Sequence, residues 1–343
     1  MRVGENPTKG GKLIEREFCS HRVIIPLHIP HELDYYKDAF AIFLMCLQSV
    51  SDTSTTKLKI SVVSNNCSDE INQRLLDLYK DNKINELIIE EEGIGKINSV
   101  LKALRTTEER LVTITDADVL FTNGWEVAVV DVFENFPKAG AVCPTPVFRK
   151  QMHLTTNIWV DYLCSKKLQF LPVQNPDAME KFAQSIGWTA LEDRFKDVIA
   201  CIESKNGTKA VLGCSHFAAT YKTEIFENIP TKNSVYKIEG DSEFLYTDLP
   251  VLKMDGYRLA TYDNYTYHLG NKLEPWMSNK FEENNYQKKI ETTYTSIPKL
   301  SKKPIRYFFT EKIVKKVIIR KKVQEFLMLK KGLTKKQLET FWY

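Results

Sequence analysis

Short apolar runs alternate with amphipathic segments from Arg22 to about Pro144. The runs are rich in β-branched residues and nearly continuous, as expected for strands that are covered on both faces. They predict strands at residues 23–26, 58–64, 86–90, 111–116 and 139–144. The intervening segments predict helices at residues 35–50, 70–81, 96–104 and 125–136. This alternation predicts an α/β fold with a mainly parallel sheet flanked by helices.

The second half of the chain has a less regular pattern. An apolar run over residues 211–221 predicts one further strand, and residues 312–336 predict a basic amphipathic helix. The formal net charge of +4 conceals an asymmetry, because residues 301–343 hold 13 Lys and Arg against 3 Asp and Glu. The remaining residues hold 35 and 41, so a slightly acidic body carries a strongly basic tail. That distribution is not typical of a general nucleic-acid binder and indicates a tail that meets something anionic.

The predicted strand at 111–116 ends in two carboxylates two positions apart, Asp116 and Asp118. In extended chain, residues i and i+2 face the same way. Ligands in open α/β sheets bind at the carboxyl ends of strands, and paired carboxylates there suit a hard cation such as Mg²⁺ or Mn²⁺. Such a cation can hold a diphosphate and neutralise it as a leaving group. The alternative interpretation is a polar turn that caps the helix beginning at Trp125.

Several short segments, taken in their order and spacing, resemble a family 2 glycosyltransferase with the GT-A fold. The matching segments cover roughly residues 22–271 and are Val23-Ile24-Ile25-Pro26, Ser64-Asn65-Asn66-Cys67-Ser68-Asp69-Glu70, Gly93-Ile94-Gly95-Lys96, Asp116-Ala117-Asp118, residues 211–229, Asp248 with Gly256-Tyr257-Arg258, and Tyr267-His268. The resemblance implies transfer of a sugar, with inversion, from a nucleotide sugar to an acceptor hydroxyl. It also implies a nucleotide-sugar-binding half at 22–146 and an acceptor-binding half at 147–298, between an N-terminal segment 1–21 and the basic tail 299–343.

The resemblance assigns the metal site to Asp116, Asp118 and His268. Asp116 is expected to approach the ribose or sugar, Asp118 to bind Mn²⁺ or Mg²⁺, and His268 to complete the metal shell. A neutral imidazole is an ordinary ligand for such an ion. A packed strand histidine is the alternative for His268.

The resemblance assigns binding of a UDP- or GDP-sugar to Pro26, Asn65, Asn66, Lys96 and Asp116. The two asparagines stand where the family usually has aspartates, and a neutral amide can still hydrogen-bond a base. Lys96 follows two glycines and opens a predicted helix, so a phosphate or a sugar hydroxyl could bind there. A solvated lysine at a helix start is the alternative.

The transfer needs a carboxylate that accepts the proton of the acceptor hydroxyl. Candidates lie in the stretch 239–243 and at Asp248. Asp248 is followed by Leu-Pro, which fits a helix N-cap and matches the position of the family's base. Asp241 is the second candidate, and a surface turn or a cap is the alternative for each.

Other features restrict the class of protein. The seven cysteines show no C-x-x-C pairing, which argues against a disulfide framework and a zinc site and favours the cytosol. No apolar run reaches the length of a membrane-spanning helix, so we expect a cytoplasmic protein. Its basic tail could lie on the inner membrane face, beside a glycan or lipid-linked acceptor. The expected pathway is surface polysaccharide or lipopolysaccharide synthesis. A partner-binding or solvated tail helix is equally compatible. The rival functions are a catalytically silent nucleotide-sugar-binding module and, less favoured, a sugar nucleotidyltransferase, whose phosphate loop is missing after the first strand.

Overall fold

The computed structural model describes residues 4, 19–148, 150–236, 241–291, 294 and 296–341. Most of the predicted N-terminal segment lies outside the described residues, as do residues 239 and 240 of the candidate-base stretch and the last two residues of the tail.

The described residues form twelve strands in two sheets. The strands are β1 (His21–Leu27), β2 (Leu58–Asn65), β3 (Glu86–Glu90), β4 (Leu111–Thr115), β5 (Val119–Phe121), β6 (Ala139–Cys143), β7 (Leu168–Pro172), β8 (Val198–Glu203), β9 (Lys209–Leu212), β10 (Ala218–Lys222), β11 (Tyr257–Thr261) and β12 (Thr266–His268). Ten of them form one sheet in the order β3-β2-β1-β4-β10-β6-β11-β9-β8-β7, and β12 pairs with β5 in a separate ribbon.

The described residues also form thirteen α-helices. They are α1 (Ala39–Thr53), α2 (Asp69–Lys80), α3 (Lys96–Leu104), α4 (Trp125–Asn135), α5 (Thr156–Asp161), α6 (Pro176–Ser185), α7 (Asp193–Asp197), α8 (Leu249–Lys253), α9 (Pro275–Glu282), α10 (Pro304–Tyr307), α11 (Lys315–Ile318), α12 (Lys321–Lys330) and α13 (Lys335–Phe341). Two π-helical turns, Phe244–Asp248 and Phe308–Val314, run directly into α8 and α11.

The parallel part of the large sheet consists of four of the five strands that the apolar runs predict. Strands β1, β2, β3 and β4 pair in parallel, and Val23, Ile24 and Ile25 in β1 are fully buried. Pro26 has no N–H to donate, and it lies beyond the last β1–β4 pair, which is Ile24 with Ile114. Ser68 caps helix α2 by accepting a hydrogen bond from Ile71 N. The predicted α/β class is therefore confirmed.

The rest of the sheet is mainly antiparallel. The prediction of a mainly parallel sheet was therefore wrong, because the large sheet has four parallel and five antiparallel pairings among the described strands. Strand β10 runs antiparallel to both β4 and β6, and β7, β8 and β9 continue in antiparallel pairs, while β11 pairs in parallel with β6. The prediction of one strand over 211–221 was wrong, because Gly213 at φ +102° turns the chain out of β9 and a loop precedes β10. That loop carries His216 to the edge of the sheet where β4 ends.

The tail is a series of helices that pack on the body. The single helix predicted over 312–336 is interrupted after α11, where Arg320 is extended with ψ 128°, and again after α12. Lys331 is buried, its ammonium donates to the carbonyls of Tyr162 and Ser165 at 2.6 Å, and its own carbonyl accepts from Phe170 N at 3.0 Å. Within the part of the chain that is described, none of the helices combines the length and the apolar character needed to cross a membrane.

Candidate active site

The two predicted aspartates lie where β4 gives way to the β5–β12 ribbon. Asp116 directly follows β4, and its backbone N–H donates to the carbonyl of Phe217 at 2.7 Å. Asp118 directly precedes β5. Because β5 runs antiparallel to β12, Val119 lies opposite His268, and this register places the histidine beside Asp118.

Asp116, Asp118 and His268 come together in one cluster. Each offers a ligand atom, and these three atoms lie within 4.8 Å of one another. His268 Nε2 is 3.5 Å from Asp118 Oδ2, while its Nδ1 is 3.1 Å from Ser185 Oγ, which holds the ring in this orientation. Burial raises the pKa of Asp118, and the neighbouring His268 opposes that effect. Two carboxylate oxygens and an imidazole nitrogen suit Mn²⁺, so the cluster fits the predicted metal.

The alternative role for the aspartates, capping helix α4, does not fit the structure. The residue before that helix is Gly124 in a left-handed conformation, and no side chain caps the helix there. The Asp118 carbonyl instead accepts a hydrogen bond from Leu269 N at 2.7 Å, which ties the start of β5 to the end of β12.

A cavity of about 300 Å³ adjoins the cluster at the carboxyl ends of the parallel strands. Its lining is Pro26, Leu27, His28, Asn65, Gly93, Gly95, Lys96, Asp116 and Ala117. Four of the five residues predicted to bind the nucleotide sugar therefore share one cavity. The fifth, Asn66, is exposed at φ +57° and does not line it.

Asn65 has a role that its sequence position did not indicate. Its Oδ1 accepts hydrogen bonds from Ile94 N at 2.8 Å and Gly95 N at 3.2 Å, so the side chain holds the glycine loop that leads to Lys96. Because the amide oxygen of Asn65 is bonded to this loop, only its NH₂ group is free to bind the base as the sequence predicted.

Lys96 lies between two carboxylates at the start of α3. Its Nζ is 2.6 Å from Asp116 Oδ1 and 2.8 Å from Glu243 Oε1. Burial alone would lower the pKa of Lys96, but the two carboxylates outweigh burial and raise the pKa. The solvated lysine considered from the sequence is thus excluded, since the ammonium joins two charged groups at the cleft.

A chain of alternating charges continues from Glu243 into the interior. Glu243 Oε2 is 3.1 Å from His216 Nδ1, and His216 Nε2 is 2.9 Å from both oxygens of Asp248. Asp248 Oδ1 is also 2.8 Å from Arg258 Nη2, and these two side chains are each 1% exposed. The pair at the inner end therefore anchors the histidine, and the histidine anchors the carboxylate at the cleft.

These contacts set the charge states of Glu243 and His216. Burial alone would raise the pKa of Glu243, but the hydrogen bond from His216 and the charge of Lys96 hold it far below its usual range. Burial alone would lower the pKa of His216, but its hydrogen bonds to Asp248 and Glu243 raise it. Glu243 is therefore ionised at neutral pH.

Neither of the two predicted bases, Asp248 and Asp241, lines the cavity beside the metal cluster. Asp248 makes no side-chain cap to α8, and both of its oxygens are bonded inside the protein. Asp241 is exposed, and no described ion pair or hydrogen bond links its side chain to the cluster. Glu243, which belongs to the candidate stretch, lies closer to the cluster through its contact with Lys96, and it also meets His216. The sequence does not show that Glu243 and His216 meet.

The family model described as glycosyl transferase family 2 matches residues 36–184. This match covers a little under half of the chain. The resemblance read from the sequence is confirmed by this match, and so is the enzyme class, glycosyltransferase, at the level of the family. None of the curated proteins matches the sequence.

Solved structures of glycosyltransferases are distant neighbours of the chain. S. aureus TarS is 14% identical with a TM-score of 0.42, over 77% of this chain and 38% of that one. GalNAc-T7 with UDP, GalNAc and Mn²⁺ is 11% identical with a TM-score of 0.44, over 73% and 43%. The mannosyltransferase PcManGT from Pyrobaculum calidifontis, with GDP-Man and Mn²⁺, is 15% identical with a TM-score of 0.39, over 94% and 73%. The chain thus spans less than half the length of the first two.

Proposed function

We propose that this chain is a metal-dependent, inverting glycosyltransferase that moves a sugar from a UDP- or GDP-sugar to a hydroxyl of a glycan or lipid-linked acceptor. The observation that carries the proposal is the cluster of Asp116, Asp118 and His268, with ligand atoms within 4.8 Å of one another, at the cavity that Asp116 shares with Lys96. The family match supports sugar transfer, and the sequence resemblance supports inversion and a pathway to surface polysaccharide or lipopolysaccharide.

The diphosphate of the donor is the group that suits this edge of the sheet. Asp116, Asp118 and His268 would hold Mn²⁺ or Mg²⁺, and the ion, when bound, supplies positive charge to a leaving diphosphate. Lys96 adds a second positive charge from the chain itself. It stands at the first turn of α3, where free backbone N–H groups also favour an anion.

Glu243 is the base that we propose in place of the buried Asp248. Its ionised side chain is 36% exposed, against 1% for Asp248, so an acceptor can reach it while Lys96 and His216 hold its two oxygens in place. Glu243 would take the proton of the acceptor hydroxyl while the acceptor oxygen bonds to the anomeric carbon. The bond from that carbon to the diphosphate breaks at the same time, and its electron pair leaves with the nucleoside diphosphate. Asp248 would then act through His216, as a positioning residue.

Turnover by a Glu243→Gln variant tests the base. The amide keeps the shape but cannot accept the proton, so kcat should fall by about 10²- to 10⁴-fold while calorimetric affinity for the donor changes little. Glu283→Gln is the matched control, because that side chain is 62% exposed on the surface. An unchanged kcat in the Glu243 variant would remove it from the chemistry.

Nucleotide binding with and without Mn²⁺ tests the metal site. Asp118→Asn should abolish the metal-dependent part of the affinity for UDP or GDP, whereas Asp77→Asn, an exposed carboxylate in α2, should not change it. Equal metal-dependent affinity in all three proteins would contradict the assignment. Tight metal-dependent binding without turnover of any donor would instead identify a silent nucleotide-sugar-binding module, and the anomeric configuration of a product, read by NMR, tests inversion.

A further inference from the structure

A continuous helical segment in the tail, residues 304–318, turns an apolar face outward. It consists of α10, the π-helical turn Phe308–Val314 and α11. Its inner side includes Thr310 and Ile318, which are 1% and 8% exposed. Five large apolar side chains on its outer side are instead 47–85% exposed, and we call them the apolar face: Ile305, Phe308, Phe309, Ile313 and Val317.

The π-helical turn explains why these side chains share one side of the helix. Ile305, Phe309, Ile313 and Val317 are spaced by four residues. In a regular α-helix of 3.6 residues per turn, such a series drifts by about 40° at each step. A π-helical turn has more residues per turn, which reduces the drift where it occurs. Ile305, Phe309, Ile313 and Val317 therefore follow a straighter line than they would in a regular α-helix, and Phe308 lies beside that line.

Basic residues border the apolar face. Lys312, Lys316 and Arg320 are exposed at four-residue spacing beside it, and Lys302 and Lys303 are exposed at its amino-terminal end. Residues 302–322 hold nine Lys and Arg and a single acidic residue, Glu311. The Glu311 side chain is 6% exposed and pairs with Lys315 at 3.2 Å, so it offers little negative charge to the surface.

We propose that the apolar face lies on a lipid bilayer that contains anionic headgroups. Soluble proteins rarely expose a contiguous row of large apolar side chains, so the row indicates an interaction surface. An apolar stripe flanked by Lys and Arg is the arrangement of helices that lie in a membrane interface, with the aliphatic stems of the lysines over the acyl chains and the ammonium groups among the phosphates. The excess of positive charge favours an anionic bilayer over an apolar groove on a protein, because binding in an apolar groove would not require nine basic residues beside the face. This inference is independent of glycosyl transfer.

Co-sedimentation of the full chain with vesicles tests the proposal. Binding to vesicles of phosphatidylcholine with 30% phosphatidylglycerol should be at least about tenfold tighter than to phosphatidylcholine alone, and should weaken as salt is added. The variant Phe308→Ser with Phe309→Ser should lose at least tenfold in binding to the anionic vesicles. A variant with Lys312→Gln, Lys316→Gln and Arg320→Gln should lose about a hundredfold, at about one kcal/mol per charge.

The controls separate loss of the surface from loss of the fold. Val127 and Tyr286 are 54% and 69% exposed elsewhere, so Val127→Ser with Tyr286→Ser removes a similar exposed area and should bind like the wild type. All variants should keep the circular dichroism spectrum and the Tm of the wild type. The proposal is overturned if the wild type does not bind anionic vesicles, or if the double phenylalanine variant binds them equally well. Self-association that this variant abolishes, without vesicle binding, would assign the face to a protein partner instead.

Discussion

Replacing one buried carboxylate should reduce the stability of the protein while leaving the cleft intact. Glu126 lies in the first turn of α4, is 0% exposed, and pairs with His21 Nδ1 of β1 at 2.8 Å. Its Oε2 accepts from the backbone N–H groups of Thr55 and Thr56 at 2.7 and 2.9 Å. Its Oε1 accepts from the hydroxyls of Thr56 and Tyr294 at 2.6 and 3.0 Å. One carboxylate thus joins β1, α4 and the connection between α1 and β2.

The size of the effect follows from the pKa of Glu126. Burial alone would raise this pKa, but the hydrogen bond and the charge of His21, with the bonds from Thr56, lower it from 4.5 to about 2. A carboxyl shifted that far contributes about 3 kcal/mol to the free energy of unfolding at neutral pH. Because the folded pKa is the lower one, the contribution is complete above pH 4.5 and is lost as the pH falls towards 2. About 1 kcal/mol of it should be gone at pH 4.

Glu126→Gln tests this reasoning by urea unfolding, followed by tryptophan fluorescence at pH 7, 5.5 and 4. The amide oxygen can keep the two backbone donors, and the amide nitrogen then faces hydroxyls that can turn, so the main loss is the charge. We expect the variant to be about 3 kcal/mol less stable than the wild type at pH 7 and about 2 kcal/mol less stable at pH 4. Glu134→Gln, an exposed position in the same helix, is the control. A loss below 1 kcal/mol, or a difference that does not change with pH, would refute the account.

Three further predictions concern other parts of the structure. Gly213→Ala should destabilise the protein by more than about 2 kcal/mol in urea unfolding, because the added Cβ would lie 2.4 Å from Lys150 Cβ at φ +102°. Gly207→Ala, with φ +87° but nothing within 4 Å, should cost only about 1 kcal/mol, and equal losses would show that the contact does not matter. Of the seven free cysteines only Cys164 is exposed, so a maleimide should label one thiol quickly in the native protein, and fast labelling of two or more would contradict the burial pattern. Lys96→Met should weaken calorimetric donor binding at least about tenfold, and an unchanged Kd would remove the ammonium from the donor site.

The local sequence pattern was sufficient to predict the helices and strands on the donor side of the site. Strand β3 and helix α3 have the bounds that their apolar periodicity predicts, residues 86–90 and 96–104. Both elements depend mainly on side chains that are near in sequence and on burial of one face. The sequence therefore placed Asp116 and Asp118 at the end of a strand, and the structure has them there, between β4 and β5.

The charged chain from Glu243 to Arg258 could not be predicted in the same way, because it depends on contacts between distant segments. Glu243, His216, Asp248 and Arg258 come from the turn before α8, the loop after β9 and strand β11, and no local pattern reports that they meet. The sequence predicted a base at Asp248 from its N-cap position, whereas in the structure that carboxylate is buried against the guanidinium of Arg258. His268 was predicted from resemblance, and its approach to Asp118 depends on the register between β5 and β12.

Anomalous diffraction at the manganese edge, from crystals grown with Mn²⁺ and UDP or GDP, would show whether the ion binds between Asp116, Asp118 and His268. We predict one strong peak at bonding distance, about 2.0–2.3 Å, from a carboxylate oxygen of Asp118 and from Nε2 of His268, with a diphosphate beside it. A diphosphate bound in the cavity with no anomalous peak between Asp116, Asp118 and His268 would contradict the account.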